Sequence, residues 1–174
     1  MAKSAPYELK EVDVRLCLKE VTTHYSESTM NNKEAAIEIM KDVLRDLDRE
    51  RICVVNLDAQ LHPINFCVAS IGTLDHCFTD IPTIFKSAML CNASKIILLH
   101  NHPSGVALPS PMDFTITEKT VYAGQLLGIP VLDHLIIGGG TGDVYSMREN
   151  NDAIFSVPDT PQELYEKFSE GKAR

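Results

Sequence analysis

The residues of this chain best suited to chemistry are two histidines, His100 and His102, which follow the apolar stretch Ile96–Leu99. That stretch predicts a buried strand, and side chains alternate along a strand, so both imidazoles are expected on one face and Asn101 on the other. Two imidazoles on one face can share a metal ion. Taken alone, the His-x-His pattern is weak, because a strand exit followed by a turn also explains it.

A second group of polar residues begins the next helix. Ser110 is suited to the N-cap, Pro111 to the first helical position and Asp113 to the first turn, where the helix dipole favours a negative charge. If this turn folds back over the strand end, Asp113 adds a carboxylate to the two imidazoles. Two imidazoles and a carboxylate, with one position left for water, form a ligand pattern of catalytic zinc sites. Each part is common in proteins, but the combined spacing His-x-His-x10-Asp predicts a metal centre.

Strands and helices alternate along the chain around these residues. Apolar residues at every second position predict strands, and apolar residues at helical spacing predict helices. We therefore expect a mixed α/β fold in which helices flank one curved mixed sheet. The predicted strands cover residues 12–18, 51–58, 61–70, 95–102, 130–137 and 144–147, and the predicted helices cover 32–47, 82–93, 110–127 and, weakly, 161–170.

Composition limits the class of protein. Of the 174 residues, 44% are hydrophobic and 23% are charged, as in ordinary globular domains. No apolar run has the length of about 20 residues that spans a bilayer, and the first residues do not resemble a signal peptide. The five cysteines are odd in number and widely spaced, which favours reduced thiols in a cytoplasmic protein. The net charge of −8 disfavours binding to nucleic-acid phosphates.

A known family matches the histidine and aspartate pattern. His-x-His-Pro-Ser-Gly followed by Pro-Ser-x-x-Asp, at residues 100–113, resembles the JAMM motif of the MPN (JAB) metallopeptidase superfamily, and more closely that of the RadC-like JAB-domain proteins. The resemblance covers about residues 46–148 and includes Glu50, 71–73, 92–94 and Leu132–Gly138. It implies the MPN/JAB fold, which is similar to that of cytidine deaminases, and zinc-dependent hydrolysis of peptide or isopeptide bonds.

The resemblance also implies roles for individual residues. His100, His102 and Asp113 match the zinc ligands of the superfamily. Ser110 matches the residue that hydrogen-bonds the developing oxyanion or orients the zinc water. Glu50 matches the general base and acid, and it shares the face of the strand that begins after it. The alternative for Glu50 is a solvated charge in a charged stretch.

The expected domain organisation has three parts. Residues 1–47 form an N-terminal extension with one strand and one helix, residues 48–150 form the JAB/MPN domain, and residues 151–174 form a polar tail. Asp133 is expected to have a structural role or to hydrogen-bond near the site. Ordinary surface or packing roles are expected for His24, His62 and His76.

Other functions stay open. The family name suggests a DNA-maintenance accessory protein, but residues 1–47 contain no Gly-containing helix-hairpin-helix segment like that of full-length relatives. Pro82-Thr83-Ile84 also stands where many relatives have Pro-Arg-Glu, so any role of that charged pair is absent. A zinc-bearing scaffold without turnover is a third function. The expected partners are an unidentified peptide or isopeptide substrate and, through strand 61–70, a second copy of the chain; no membrane is expected.

Overall fold

The computed structural model describes residues 29–30, 33–72 and 79–156. Within these ranges the chain alternates between helices and strands in a mixed order. The elements are α1 (Lys33–Leu44), β1 (Arg51–Leu57), β2 (Pro63–Ile71), α2 (Ile81–Leu90), β3 (Lys95–His102), α3 (Pro111–Leu127), β4 (Val131–Gly138), β5 (Val144–Ser146), α4 (Met147–Asn150) and a 3₁₀ helix, Asp152–Phe155.

The five strands form one sheet in the order β2-β1-β3-β4-β5. Strands β3 and β4 run parallel, and the other three neighbouring pairs are antiparallel. Helices pack on both faces, which confirms the predicted mixed α/β fold. The predicted strand at 12–18, the predicted helix at 161–170, and His24 and His76 lie outside the described residues.

Strand β3 lies at the centre of the sheet and buries side chains on both faces, as its apolar run predicts. Ile96 and Leu98 pack on the face covered by α2 and α3. Ile97 and Leu99 pack on the face covered by α1. None of the helices in the described part of the chain has both the length and the apolar character that crossing a bilayer requires.

Helices α1 and α2 differ from the prediction at their boundaries, and α2 ends at Leu90 rather than at residue 93. Helix α1 ends at Leu44 rather than at residue 47, after its last fully buried side chain. Helix α2 begins one residue before Pro82, because the Asp80 carboxylate caps it by accepting a hydrogen bond from Thr83 N at 2.8 Å. Helix α1 shares an apolar core with the sheet. The division of the chain at residues 47 and 48 stays a prediction.

The carboxyl ends of β3 and β4 are held together by glycine-rich turns. The backbone carbonyl of His102 accepts hydrogen bonds from Gly105 N at 3.0 Å and from Gly139 N at 2.8 Å. Gly138 ends β4 without room for a side chain, because a Cβ atom there would lie 2.3 Å from the Gly105 carbonyl oxygen. This close approach fixes the end of β3, which carries both histidines, against β4.

Gly138→Ala is therefore expected to lower the free energy of unfolding by about 3 kcal/mol, because the two backbone segments must move apart. Gly140→Asn is the matched control. Gly140 has a φ of 71° but open space around it, and asparagine tolerates this conformation. Urea titration of both variants measures the difference, and equal stabilities would contradict the role given to the close approach.

Candidate metal centre

The two histidines are neighbours on one face of β3, as the alternation of side chains predicts. His100 is 3% exposed, and the ring centroids of His100 and His102 lie 4.6 Å apart with perpendicular planes. Asn101, between them, is fully buried and bonds the chain on either side of Glu50. Both imidazoles are therefore available to one bound ion.

The proton position on His102 is set by the turn that follows the strand. His102 Nδ1 lies 2.8 Å from the backbone carbonyl oxygen of Val106. A carbonyl oxygen only accepts a hydrogen bond, so Nδ1 carries the proton and Nε2 presents its lone pair. Metal-binding histidines are commonly oriented by this kind of bond to the non-ligating nitrogen.

Asp113 reaches the histidines from the first turn of α3. Its Oδ1 lies 3.0 Å from His100 Nδ1, and its Oδ2 lies 3.5 Å from His102 Nε2. Oδ2 also accepts hydrogen bonds from the backbone N and the hydroxyl of Ser110, each at 2.7 Å. The helix start thus folds back over the strand end, and the capping box that Ser110 and Asp113 form holds the carboxylate there.

Glu50 approaches the pair from the position just before the neighbouring strand, β1. Ile52, two residues further along, is paired with His100 across the antiparallel β1–β3 ladder. Glu50 Oε2 consequently lies 3.7 Å from His100 Nε2, and the Glu50 side chain is 16% exposed. Asn101 fixes this position, since its Oδ1 accepts from Arg51 N at 2.7 Å and its Nδ2 donates to the Arg49 carbonyl at 3.1 Å. No pattern in the sequence indicates this role of Asn101, because its partners lie about 50 residues away along the chain.

The donor set fits a divalent metal ion. One ligand atom each from Glu50, His100 and His102 lie within 4.8 Å of one another, and both carboxylate oxygens of Asp113 contact the histidines. Neighbouring ligand atoms around tetrahedral zinc are about 3.3 Å apart, given bonds of about 2.0–2.1 Å. Both His100 nitrogens are buried, and among the described residues they face only carboxylates, Asp113 at 3.0 Å from Nδ1 and Glu50 at 3.7 Å from Nε2. Buried polar atoms of this kind are rare unless a ligand completes them.

The family model of the RadC-like JAB domain matches residues 30–152. The chain belongs to the RadC-like JAB family. The matched range contains Glu50, both histidines, Ser110 and Asp113, together with all five strands of the sheet. The family membership expected from the motif is confirmed.

Relatives of this RadC-like JAB domain are named UPF0758 protein. One from Roseiflexus castenholzii is 39% identical over 114 residues, which are 66% of this chain and 48% of that protein. One from Caldanaerobacter subterraneus is 38% identical over 122 residues, 70% and 52% of the two chains. One from Chloroflexus aggregans is 45% identical over 103 residues, 59% and 44%. The chain spans about half the length of the curated relatives it matches.

Of the two roles expected for Asp133, a structural role and a hydrogen bond near the centre, its contacts fit the structural one. Asp133 is paired with Ile97 on the face of the sheet that α1 covers. Its carboxylate accepts from the Ser146 hydroxyl at 2.6 Å and from Arg148 N at 2.9 Å, which fixes the start of α4. Side-chain alternation instead places His134 on the face of His100. His62, at 59% side-chain exposure, pairs with Asp58 as an ordinary surface residue.

The charges of this RadC-like JAB centre alter one another's pKa. Burial lowers the pKa of His100, but contacts with the carboxylates of Asp113 and Glu50 outweigh it and raise the pKa to about 8. Burial raises the pKa of Asp113, yet its contacts with the two histidines and Ser110 hold it well below its ordinary value. Contact with His100 also lowers the pKa of Glu50. The centre is therefore an anionic environment that stabilises a positive charge.

The free energy of unfolding of the metal-free protein is expected to be highest near pH 6.5. The folded state binds the His100 proton more tightly, so a contribution of about 2 kcal/mol is complete below pH 6.5 and is lost as the pH rises through about 8. Burial and the neighbouring His100 lower the pKa of His134 to about 3. The unfolded state then binds the extra proton, so stability falls by about 1.4 kcal/mol per pH unit below pH 6.5.

Urea titrations in EDTA between pH 5 and pH 8.5 measure this profile. His100→Gln should remove the loss above pH 6.5, and His134→Gln should remove the loss below it. His62→Gln, at an exposed position, should keep both. A wild-type stability that does not change across this range would contradict the prediction.

Proposed function

We propose that this RadC-like JAB domain is a zinc-dependent hydrolase of amide bonds, a peptidase or isopeptidase. The observation that carries the proposal is the convergence of His100, His102 and Asp113 within contact distance, with Glu50 beside them. Membership of the RadC-like JAB family supports the same chemistry. The proposed substrate class is a peptide or an isopeptide-linked chain.

His100, His102 and Asp113 would hold the zinc. Asp113 contacts both histidines, whereas Glu50 contacts His100 alone and at the longest of these distances. Glu50 is also the more exposed carboxylate, with 16% of its side chain accessible against 5% for Asp113. A zinc ion in such a set lowers the pKa of water to about 7 and polarises a carbonyl group. With Asp113 as the third ligand, Glu50 would be left for proton transfer.

Glu50 would take the proton from the attacking water at Oε2 and pass it to the nitrogen of the leaving amine. The position suits this task, because Asn101 fixes the backbone on both sides and the carboxylate stays within reach of solvent. A carboxylate whose pKa lies below its ordinary value is ionised at neutral pH, as a base must be.

Ser110 would donate a hydrogen bond to the carbonyl oxygen of the substrate as negative charge develops there. Its single hydroxyl hydrogen is donated to Asp113 Oδ2 in the structure. Rotation of the hydroxyl toward the substrate would leave Asp113 held by the backbone N of Ser110, at 2.7 Å. The carboxylate can therefore keep its place while the hydroxyl serves the reaction.

The test begins with the zinc content of protein purified without a histidine tag, measured by elemental analysis before and after reconstitution. One zinc per chain is expected. The loaded protein is then incubated with peptide and isopeptide-linked mixtures, and new amino termini or lysine amines are identified by mass spectrometry. Protein stripped with a chelator is the control. A chain that takes up no zinc contradicts the proposal, and zinc uptake without any cleavage favours the scaffold.

A further inference from the structure

A third imidazole lies next to the metal centre. His134 is fully buried, and its ring centroid is 6.0 Å from that of His100, with the two planes 21° apart. Its Nε2 atom is buried and has no hydrogen-bond partner among the described residues. The proposed hydrolysis gives this residue no task. Burying a histidine lowers the stability of the fold unless its ring nitrogens find hydrogen-bond partners. The neighbours of His134 therefore indicate why it is buried at this position.

Thr117 determines which nitrogen of His134 carries the proton. The Thr117 hydroxyl contacts the backbone carbonyl of Asp113 and lies 2.6 Å from His134 Nδ1. The carbonyl can only accept, so the single hydroxyl hydrogen of Thr117 is donated to Asp113. The hydroxyl oxygen is then an acceptor, and His134 Nδ1 must donate to it. His134 is therefore protonated at Nδ1 and bare at Nε2.

The same two bonds connect β4 to the start of α3. His134 lies on β4, Thr117 lies one helical turn after Asp113, and the bonds run from His134 through Thr117 to the Asp113 carbonyl. That first turn of α3 carries the carboxylate that lies 3.0 Å from one histidine and 3.5 Å from the other. A shift of the turn along the sheet would change both distances together.

We propose that Thr117 and His134 form a positioning pair for the metal centre. Thr117 holds His134 in its Nδ1-protonated tautomer, and the pair fixes the first turn of α3 and the His100 ring at the spacing that one ion needs. This inference rests on the zinc site of the proposed function. Both residues are fully buried, so their effect is on metal binding and on the tautomer.

Thr117→Val tests the pair, since valine has the shape of threonine without the hydroxyl. Its affinity for zinc, measured by competition with a chromophoric chelator, is expected to fall about 10–100-fold. Thr117→Ser should restore the affinity. Thr120→Val is the matched control, because Thr120 is fully buried on the same helix and donates to the Ile116 carbonyl at 2.6 Å. The control should bind zinc within about threefold of wild type.

The tautomer is measured separately by ¹⁵N NMR of the imidazoles in metal-free protein. Wild type should show His134 protonated at Nδ1, and Thr117→Val should lose that preference. Protonation at Nε2 in wild type, or equal zinc affinities of Thr117→Val and Thr120→Val, would overturn the inference. If Thr117→Val does not fold, Thr117→Ala must show the same loss of affinity. A wild-type chain that binds no zinc overturns the proposed function and the positioning role with it, whereas zinc binding with an Nε2-protonated His134 overturns the pair alone.

Discussion

Asp113→Asn is expected to lose stoichiometric zinc, whereas Glu50→Gln is expected to keep it. The Asp113 carboxylate contacts both histidines, which hold its pKa well below the ordinary value, so it is ionised at neutral pH. An amide at the same place has no charge and is a much weaker zinc ligand. We expect the zinc affinity of Asp113→Asn to fall more than about 100-fold. Loss of a ligand should have a larger effect than the 10–100-fold loss typical when a residue that hydrogen-bonds a ligand is removed.

Equilibrium dialysis against buffered zinc, followed by elemental analysis, measures both variants side by side. Asp80→Asn is the matched control, because Asp80 is also a helix-capping carboxylate but is remote from the centre in sequence. It should bind zinc like wild type. The reverse result, with zinc lost in Glu50→Gln and kept in Asp113→Asn, would show that the cluster of Glu50 with the two histidines is the ligand set.

Turnover by Glu50→Gln is expected to be about 10²–10⁴-fold lower than that of wild type, with zinc retained. Proton transfer by a positioned side chain contributes about that factor, and glutamine cannot take or return a proton. Glu50→Asp keeps the charge but shortens its reach to His100, now 3.7 Å, so an intermediate rate is expected. The rates are measured on whichever amide the cleavage screen identifies, at saturating zinc.

Glu118→Gln is the control for this second prediction, because Glu118 is an exposed carboxylate on α3. It should cleave at the wild-type rate. Equal turnover in Glu50→Gln and Glu118→Gln would remove Glu50 from the reaction. Loss of zinc together with loss of turnover in Glu50→Gln would instead identify Glu50 as a metal ligand. Zinc content and turnover must therefore be measured on the same preparation.

The strand, the helix start and the spacing between them could be predicted because local rules govern them. Alternation along 95–102 places His100 and His102 on one face, and Ser110 with Pro111 marks the helix start that carries Asp113. The spacing of the apolar residues, at every second position in strands and at helical intervals in helices, predicts the order of the elements. Whether the start of α3 folds back over the end of β3 depends on tertiary packing. The approach of Asp113 to the histidines could therefore be predicted only on the condition that it does.

The residues whose contacts could not be predicted lie on strands whose pairing the sequence does not determine. Asp133 and His134 are adjacent on β4, so only one of them can share the face of His100. The face follows from the register of β4 against β3, where His134 is paired with Leu98. Asn101 was likewise missed, because its bonds to Arg49 and Arg51 join positions about 50 residues apart. Periodicity within one strand contains no information about such partners.

The two apolar cores on the faces of the sheet contain none of the residues proposed to bind zinc. Small zinc-stabilised domains unfold when they are stripped, because the ion replaces a core that they lack. This domain has an apolar core that does not include the metal centre. Removing the ion should therefore leave a folded metal-free protein that can bind zinc again. Zinc held at the proposed centre would then be removed and returned without unfolding the domain.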